Sequence, residues 1–138
     1  MKISKTDLSI TAPLVHKHLS QHQIEMDKGV STPKVQHSFA AYEDDIFLGG
    51  LVCHKTDQTM HIEMLALPPE SRGRGVGTQL VEATLDFAKA EGVIAVTVST
   101  LAFQAKDFYL GLGFSIFGQL ENVPFEGTTK YFFVKYVN

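Results

Sequence analysis

The sequence predicts a single α/β domain, residues 1–138, and three observations carry that prediction. Short runs of strand composition alternate with segments whose apolar residues recur at helical spacing. One run, Val93-Ile94-Ala95-Val96-Thr97-Val98, is nearly continuous in apolar and β-branched residues, the pattern of a strand covered on both faces and therefore central in its sheet. At 138 residues, 44% hydrophobic and 20% charged, the chain is long enough to bury one core and too short for two ordinary domains.

The elements follow in order. Thr11 is placed to cap a first helix with Pro13 in its first turn, and Val15, His18, Leu19 and His22 then share a face of a helical region reaching Lys28-Gly29. Val35 to Tyr42 and Ile46 to His54 have strand composition and meet at the acidic turn Glu43-Asp44-Asp45. A third strand, Met60 to Leu67, completes a meander and is closed by Pro68-Pro69, because proline supplies no N–H and forces its predecessor extended. Gly77, Leu80, Val81, Thr84, Leu85 and Ala88 form the stripe of a helix lying on a sheet, and Gly92 stops it. After the Val93 to Thr100 strand, Ala105, Phe108, Tyr109 and Leu112 fall on one helical face, which Gly113 ends. Strands from Phe114 to Gln119 and from Lys130 to Val137, joined by the loop Glu121 to Thr129, complete one shared sheet, since no repeat or linker interrupts the chain.

Charge and composition exclude several functions. A net charge of −3 with histidine neutral, and basic residues otherwise scattered, gives no basic face for nucleic acid. The N-terminus lacks an apolar signal core, and no apolar run approaches the roughly 20 residues of a membrane span, so a cytoplasmic protein without a membrane partner is expected. The one cysteine, Cys53, cannot form an internal disulfide and reads as a small buried residue in Gly49-Gly50-Leu51-Val52-Cys53.

The chemistry concentrates in Arg72-Gly73-Arg74-Gly75-Val76-Gly77, which holds the only two arginines of the sequence. Glycines let main-chain N–H groups curl around an anion, a following helix aims its positive end there, and arginine adds fixed charge. The alternative is an ordinary glycine-rich turn, but a strand before and a helix after make the order that of a phosphate site. A nucleoside triphosphatase is disfavoured because no Gly-Lys pair exists to reach terminal phosphates and magnesium. NAD is disfavoured because the next strand ends Thr97-Val98-Ser99-Thr100, without the acidic residue that holds ribose hydroxyls.

Two motifs on these elements resemble the GNAT superfamily of acyl-CoA-dependent N-acetyltransferases. Arg72-x-x-Gly75-x-Gly77 is similar to the family's Q/R-x-x-G-x-G/A pyrophosphate loop, and Ala105-x-x-Phe108-Tyr109-x-x-x-Gly113-Phe114 to its cofactor-side helix. The resemblance covers Ile46 to Gln119 well and the first 45 residues only by order of elements. It implies a mixed, mostly antiparallel, twisted sheet with helices on both faces, and acetyl-CoA as co-substrate without a metal. By the resemblance, Arg72, Gly73, Arg74, Gly75, Val76, Gly77 and Thr78 would hold the diphosphate, while Leu65, Ala66 and Leu67 would pair with the pantetheine arm. A bulge splaying that strand from its neighbour would leave backbone groups free for the cofactor. Ala102 departs from the family's asparagine there, with Ser99, Thr100 or Gln104 as substitutes. Family members are often homodimers.

Acyl transfer to a small primary amine requires a base, because such an amine has a pKa near about 10.4 and arrives protonated. Glu63, the one carboxylate inside the Met60 to Leu67 run, is the candidate, provided burial among Ile62, Met64 and Leu65 raises its pKa toward neutrality. The alternative is a structural pairing with His54 or His61, the latter sharing its strand face. His61 would tune Glu63 or touch substrate. Tyr109 occupies the family's position for the acid that protonates the leaving thiolate; alternatively its ring simply fills the helix stripe beside Phe108. By the resemblance, His18 and His22 would form a wall of an acceptor pocket; Glu121 and Glu126 would line it and favour a cationic amine, the alternative being a solvated surface loop. The His18–His22 pair lacks the further ligands a zinc site needs.

Overall fold

The computed structural model describes residues 1–27, 33–101 and 103–138. The predicted helix end at Lys28-Gly29, and Ala102, lie outside the described residues. Two compact units emerge, Met1–Pro33 and Lys34–Asn138.

The first unit holds helix α1, Leu8–Asp27. It begins a turn earlier than the sequence predicts, because Asp7 and not Thr11 satisfies its start. The Asp7 carboxylate accepts from the Ser9 N–H (2.9 Å) and hydroxyl (2.7 Å), and the Asp7 carbonyl accepts from the N–H groups of Ile10 and Thr11, both at 3.1 Å. The Ser9 side chain holds the Asp7 carboxyl below the usual carboxylate range. Pro13 therefore sits inside the helix, and Thr11 shares a hydroxyl hydrogen bond with Thr6.

The second unit is a six-stranded sheet in the order β1-β2-β3-β4-β6-β5, with β1 Val35–Glu43, β2 Ile46–Thr56, β3 Thr59–Ala66, β4 Ala95–Thr100, β5 Ser115–Glu121 and β6 Thr129–Tyr136. Every pairing is antiparallel except β3 with β4. The β1–β2 turn closes with two residues, Asp44 (φ 49°) and Asp45 (φ 66°), whose left-handed backbone matches strand twist in a tight hairpin. β4 is central, as its composition requires, but Val93 and Ile94 stand before it: the Val93 N–H bonds the Ala88 carbonyl at 2.9 Å in the helix-stop motif set up by Gly92 (φ 75°).

Helices α2, Val76–Ala90, and α3, Phe103–Gly111, cover one face of this sheet. Phe87 of α2 meets His37 and Phe39 edge-on, with ring centroids at 4.7 and 5.6 Å, and Tyr109 of α3 packs on Phe133 at 5.5 Å. Cross-strand partners share a face, and the chain of partners His37–Cys53–Ile62–Val98–Phe133 joins both contacts on one side. Cys53, Met60, Val81, Val96 and Phe133 are fully buried there.

Two irregularities shape the middle of the sheet. Parallel pairing of β3 with β4 stops at Ile62–Val98, although β3 continues to Ala66 and β4 to Thr100. In the β2–β3 ladder Cys53 opposes Ile62 and Val52 opposes Met64, which leaves Glu63 as the extra residue of a bulge. Because β1, β3, β4 and β5 run the same way, their ends lie along one edge of the sheet, together with the β5–β6 hairpin.

Candidate active site

At that edge lies a groove of about 600 Å³. Leu65, Ala66 and Leu67 form one wall, Arg72, Gly73, Gly75 and the first turn of α2 (Val76, Gly77, Thr78) the base, and Ala105 and Phe108 of α3 the far side. Gly73 (φ 76°) and Gly75 (φ 80°) are left-handed, and a Cβ at either would meet nothing within 4 Å, so backbone conformation and not crowding demands glycine. At Gly77 the reason is different: a Cβ would stand 3.4 Å from the Phe108 ring and 3.8 Å from Leu67.

Gly75 caps α2 without a side-chain hydrogen bond, so the first-turn N–H groups keep their donors for an anion and the helix dipole adds to them. The donor set therefore fits a diphosphate held by main chain. Arg72 lines the groove, but the Arg74 side chain turns from it: its Nη2 contacts both Glu43 carboxylate oxygens, at 3.2 and 3.3 Å, beside a second cavity of about 510 Å³. Both partners are largely exposed, so this ion pair contributes little stability.

On the sheet face opposite α2 and α3, strand register brings Gln36, His54, His61 and Thr97 into one cross-strand row. Glu63, displaced by the bulge, joins that row. Its carboxylate lies 2.5 Å from His54 Nδ1 and accepts from Gln36 Nε2 at 3.1 Å, while Lys34 Nζ stands at 4.0 Å. His61 Nδ1 and Thr97 Oγ1 are 2.8 Å apart, and the two imidazole centroids 5.5 Å.

This geometry corrects the expected raised pKa of Glu63. The hydrogen bond from His54 holds the carboxyl below its ordinary value, outweighing burial, and Met64, which was to bury it, is exposed because the bulge turns it outward. His61 is also shifted down, first by burial and then by the neighbouring His54. Cys53 is buried and its thiol pushed up by that burial, an inert setting.

Tyr109 is buried within an aromatic cluster of Phe108, Phe114 and Phe133, and burial lifts its phenol to about 12. Its neighbour Phe108, not Tyr109, lines the groove. His18 and His22 share an exposed strip of α1 with Leu14, Val15 and Leu19, within the first unit. Glu121 and Glu126 are exposed at the β5–β6 hairpin, whose tip is tied by the Gly127 N–H to Asn122 Oδ1 at 2.9 Å. Among the described residues no group of three or more His, Cys, Asp or Glu side chains is arranged to hold a metal, and no helix is long and apolar enough to cross a membrane. Gln36 and Thr97 escaped the sequence reading, because only pairing between strands far apart in sequence places them beside the histidines.

Comparison with known proteins gives this geometry a family. The acetyltransferase (GNAT) family profile matches residues 7–114. N-alpha-acetyltransferase 30 of Schizosaccharomyces pombe is 32% identical over 110 residues, covering 75% of this chain and 73% of that protein. Blasticidin-S acetyltransferase of Streptomyces morookaense is 32% identical over 103 residues, 74% of this chain and 75% of that one. Among solved structures, an acetyltransferase from Bacillus cereus superposes with a TM-score of 0.86 at 24% identity, covering 99% of this chain and 98% of that chain. With strand, glycine cradle and aromatic helix in that family's order, the chain belongs to the GNAT family and is an acetyltransferase.

Proposed function

We propose that this acetyltransferase moves the acetyl group of acetyl-CoA to a primary amine of a small molecule, directly and without an acyl-cysteine. The observation that carries the reading is the groove between β3 and α2, with its uncapped helix start and left-handed Gly73 and Gly75. When bound, acetyl-CoA supplies an activated thioester. The main chain from Arg72 to Thr78 grips the diphosphate, Arg72 adds charge, and the edge of β3 beyond Ile62, which β4 does not pair, offers backbone groups to the pantetheine arm.

Deprotonation of the amine falls to the Glu63 cluster, and Tyr109 keeps its proton at working pH and donates toward the leaving sulfur. Glu121 and Glu126 stand at the same sheet edge as the groove and suit a cationic acceptor. His61 is a further acceptor contact in this reading, which also includes a cytoplasmic protein, no metal, no nucleic-acid or membrane partner, and a homodimer.

A second reading is acetylation of peptide N-termini, favoured by the 32% identity to an N-alpha-acetyltransferase. Release of free thiol from acetyl-CoA, measured against polyamines, aminoglycosides, nucleoside antibiotics, amino acids and short peptides, separates the two. Turnover of small amines supports the first, and turnover of peptides alone supports the second. Binding of CoA with no thiol release under any amine identifies a non-catalytic CoA-binding module instead.

A further inference from the structure

We propose that His54, positioned by Glu63, is the group that takes the proton from the acceptor amine. The inference rests on the acetyl-transfer reading above and reassigns the roles within its base cluster. The Glu63 carboxylate is the acceptor of the Gln36 amide at 3.1 Å and stands 2.5 Å from His54 Nδ1. An ionised carboxylate only accepts, so Nδ1 carries the hydrogen and the lone pair is on Nε2. Nε2 has no hydrogen-bond partner among the described residues.

Glu63 is the weaker choice for the base itself. Its oxygens are already engaged by His54 and Gln36, with Lys34 nearby, and these contacts favour the carboxylate over the acid. An imidazole matches proton transfer from an amine at neutral pH far better than an acid-range carboxylate. The groups that face His54 within its unit are Glu63, Gln36, His61 and, through Glu63, Lys34; α2 and α3 pack on the other face of the sheet. His61 is tied to Thr97 and biased toward its neutral form by burial, so it does not oppose a positive charge arriving on His54.

Location supports the role. His54 opposes His61 across the ladder, and His61–Thr97 is the last pair but one before β3 and β4 part. In the reaction an ammonium acceptor gives one proton to His54 Nε2 and the amine nitrogen forms the C–N bond. The C–S bond breaks with its electron pair going to sulfur, which takes a proton from Tyr109, and the second nitrogen proton restores the phenol. His54 returns the first proton to solvent. Atoms and charge balance without a further reactant.

The test compares His54→Gln with Glu63→Gln, using the best amine from the thiol-release panel across pH, with CoA binding followed by calorimetry. If His54 is the acceptor, His54→Gln loses about 100-fold in kcat/KM at neutral pH. The loss shrinks as pH rises toward the amine's own pKa, because free amine then needs no base. Glu63→Gln, which keeps the imidazole and loses only its positioning, falls about ten-fold. Free imidazole restores activity to His54→Gly. The reverse order of losses, or a His54→Gln loss that is the same at every pH, overturns the proposal. If His54→Gln does not fold, Glu63→Gln decides alone: a loss near 100-fold makes the carboxylate the base. Wild-type protein that binds CoA and acetylates nothing removes the acetyl-transfer reading, and this assignment falls with it.

Discussion

Glu63 shows at the scale of one residue how a bulge sets chemistry. As the extra residue opposite Val52 and Cys53, it reaches His54, and that hydrogen bond keeps it ionised. Glu63 and His61 both have folded pKa values below their ordinary 4.5 and 6.5, so the unfolded chain binds more protons than the native one at acidic pH. Their contributions to stability are complete above those ordinary values and are lost as pH falls through the folded ones. The thermal midpoint should therefore drop as pH falls from 7 in two stages, His61 acting below its ordinary 6.5 and Glu63 below its ordinary 4.5. His61→Asn should flatten the upper stage, and an unchanged curve would contradict the assignment. At Tyr109 the phenol stays protonated up to about 12, as a donor to a leaving thiolate requires. Tyr109→Phe should cut kcat about 100-fold while leaving CoA affinity and the unfolding midpoint nearly in place, and unaltered turnover would reduce the residue to packing.

At the scale of the element, the loop from Gly73 to Gly77 uses glycine in two ways. Ala at Gly75 meets no atom but must adopt φ near 80°, which costs about 1–2 kcal/mol. Valine at Gly77 drives a branched side chain toward the Phe108 ring, already 3.4 Å from the first added carbon, and crowds the groove that both residues line. Gly75→Ala should thus lower the urea midpoint with a modest loss of CoA affinity, whereas Gly77→Val should weaken CoA binding more than it weakens the fold. Calorimetry and denaturation on the same preparations check that contrast. The loop, its flanking strand and α2 were legible in the sequence because glycine placement and helical spacing are local signals. The start of α1 was misplaced because two capping residues, Asp7 and Thr11, lie within one turn, and hydrogen bonds to Ser9 decide for Asp7. Val93 and Ile94 have strand composition yet stand before β4, because the helix-stop bond from Val93 to Ala88 has no compositional mark.

At the scale of the whole molecule, element order and the central place of β4 follow from composition, whereas strand neighbours do not. The row Gln36–His54–His61–Thr97 exists only through register across three pairings. So does the parting of β3 from β4 after Ile62, which opens the sheet where the groove begins. Arg74 shows the same limit: sequence spacing put both arginines at the anion, and its pairing with Glu43 depends on the β1–β2 turn reaching the same edge. In the proposed reading, main chain thus supplies most of the grip on a diphosphate. The most direct measurement is calorimetric titration of folded wild-type protein with CoA and, separately, with pantetheine, which lacks the diphosphate. Saturable one-to-one binding of CoA with much weaker binding of pantetheine is the predicted result; no association with CoA at millimolar concentration, or equal affinity for both, would contradict it.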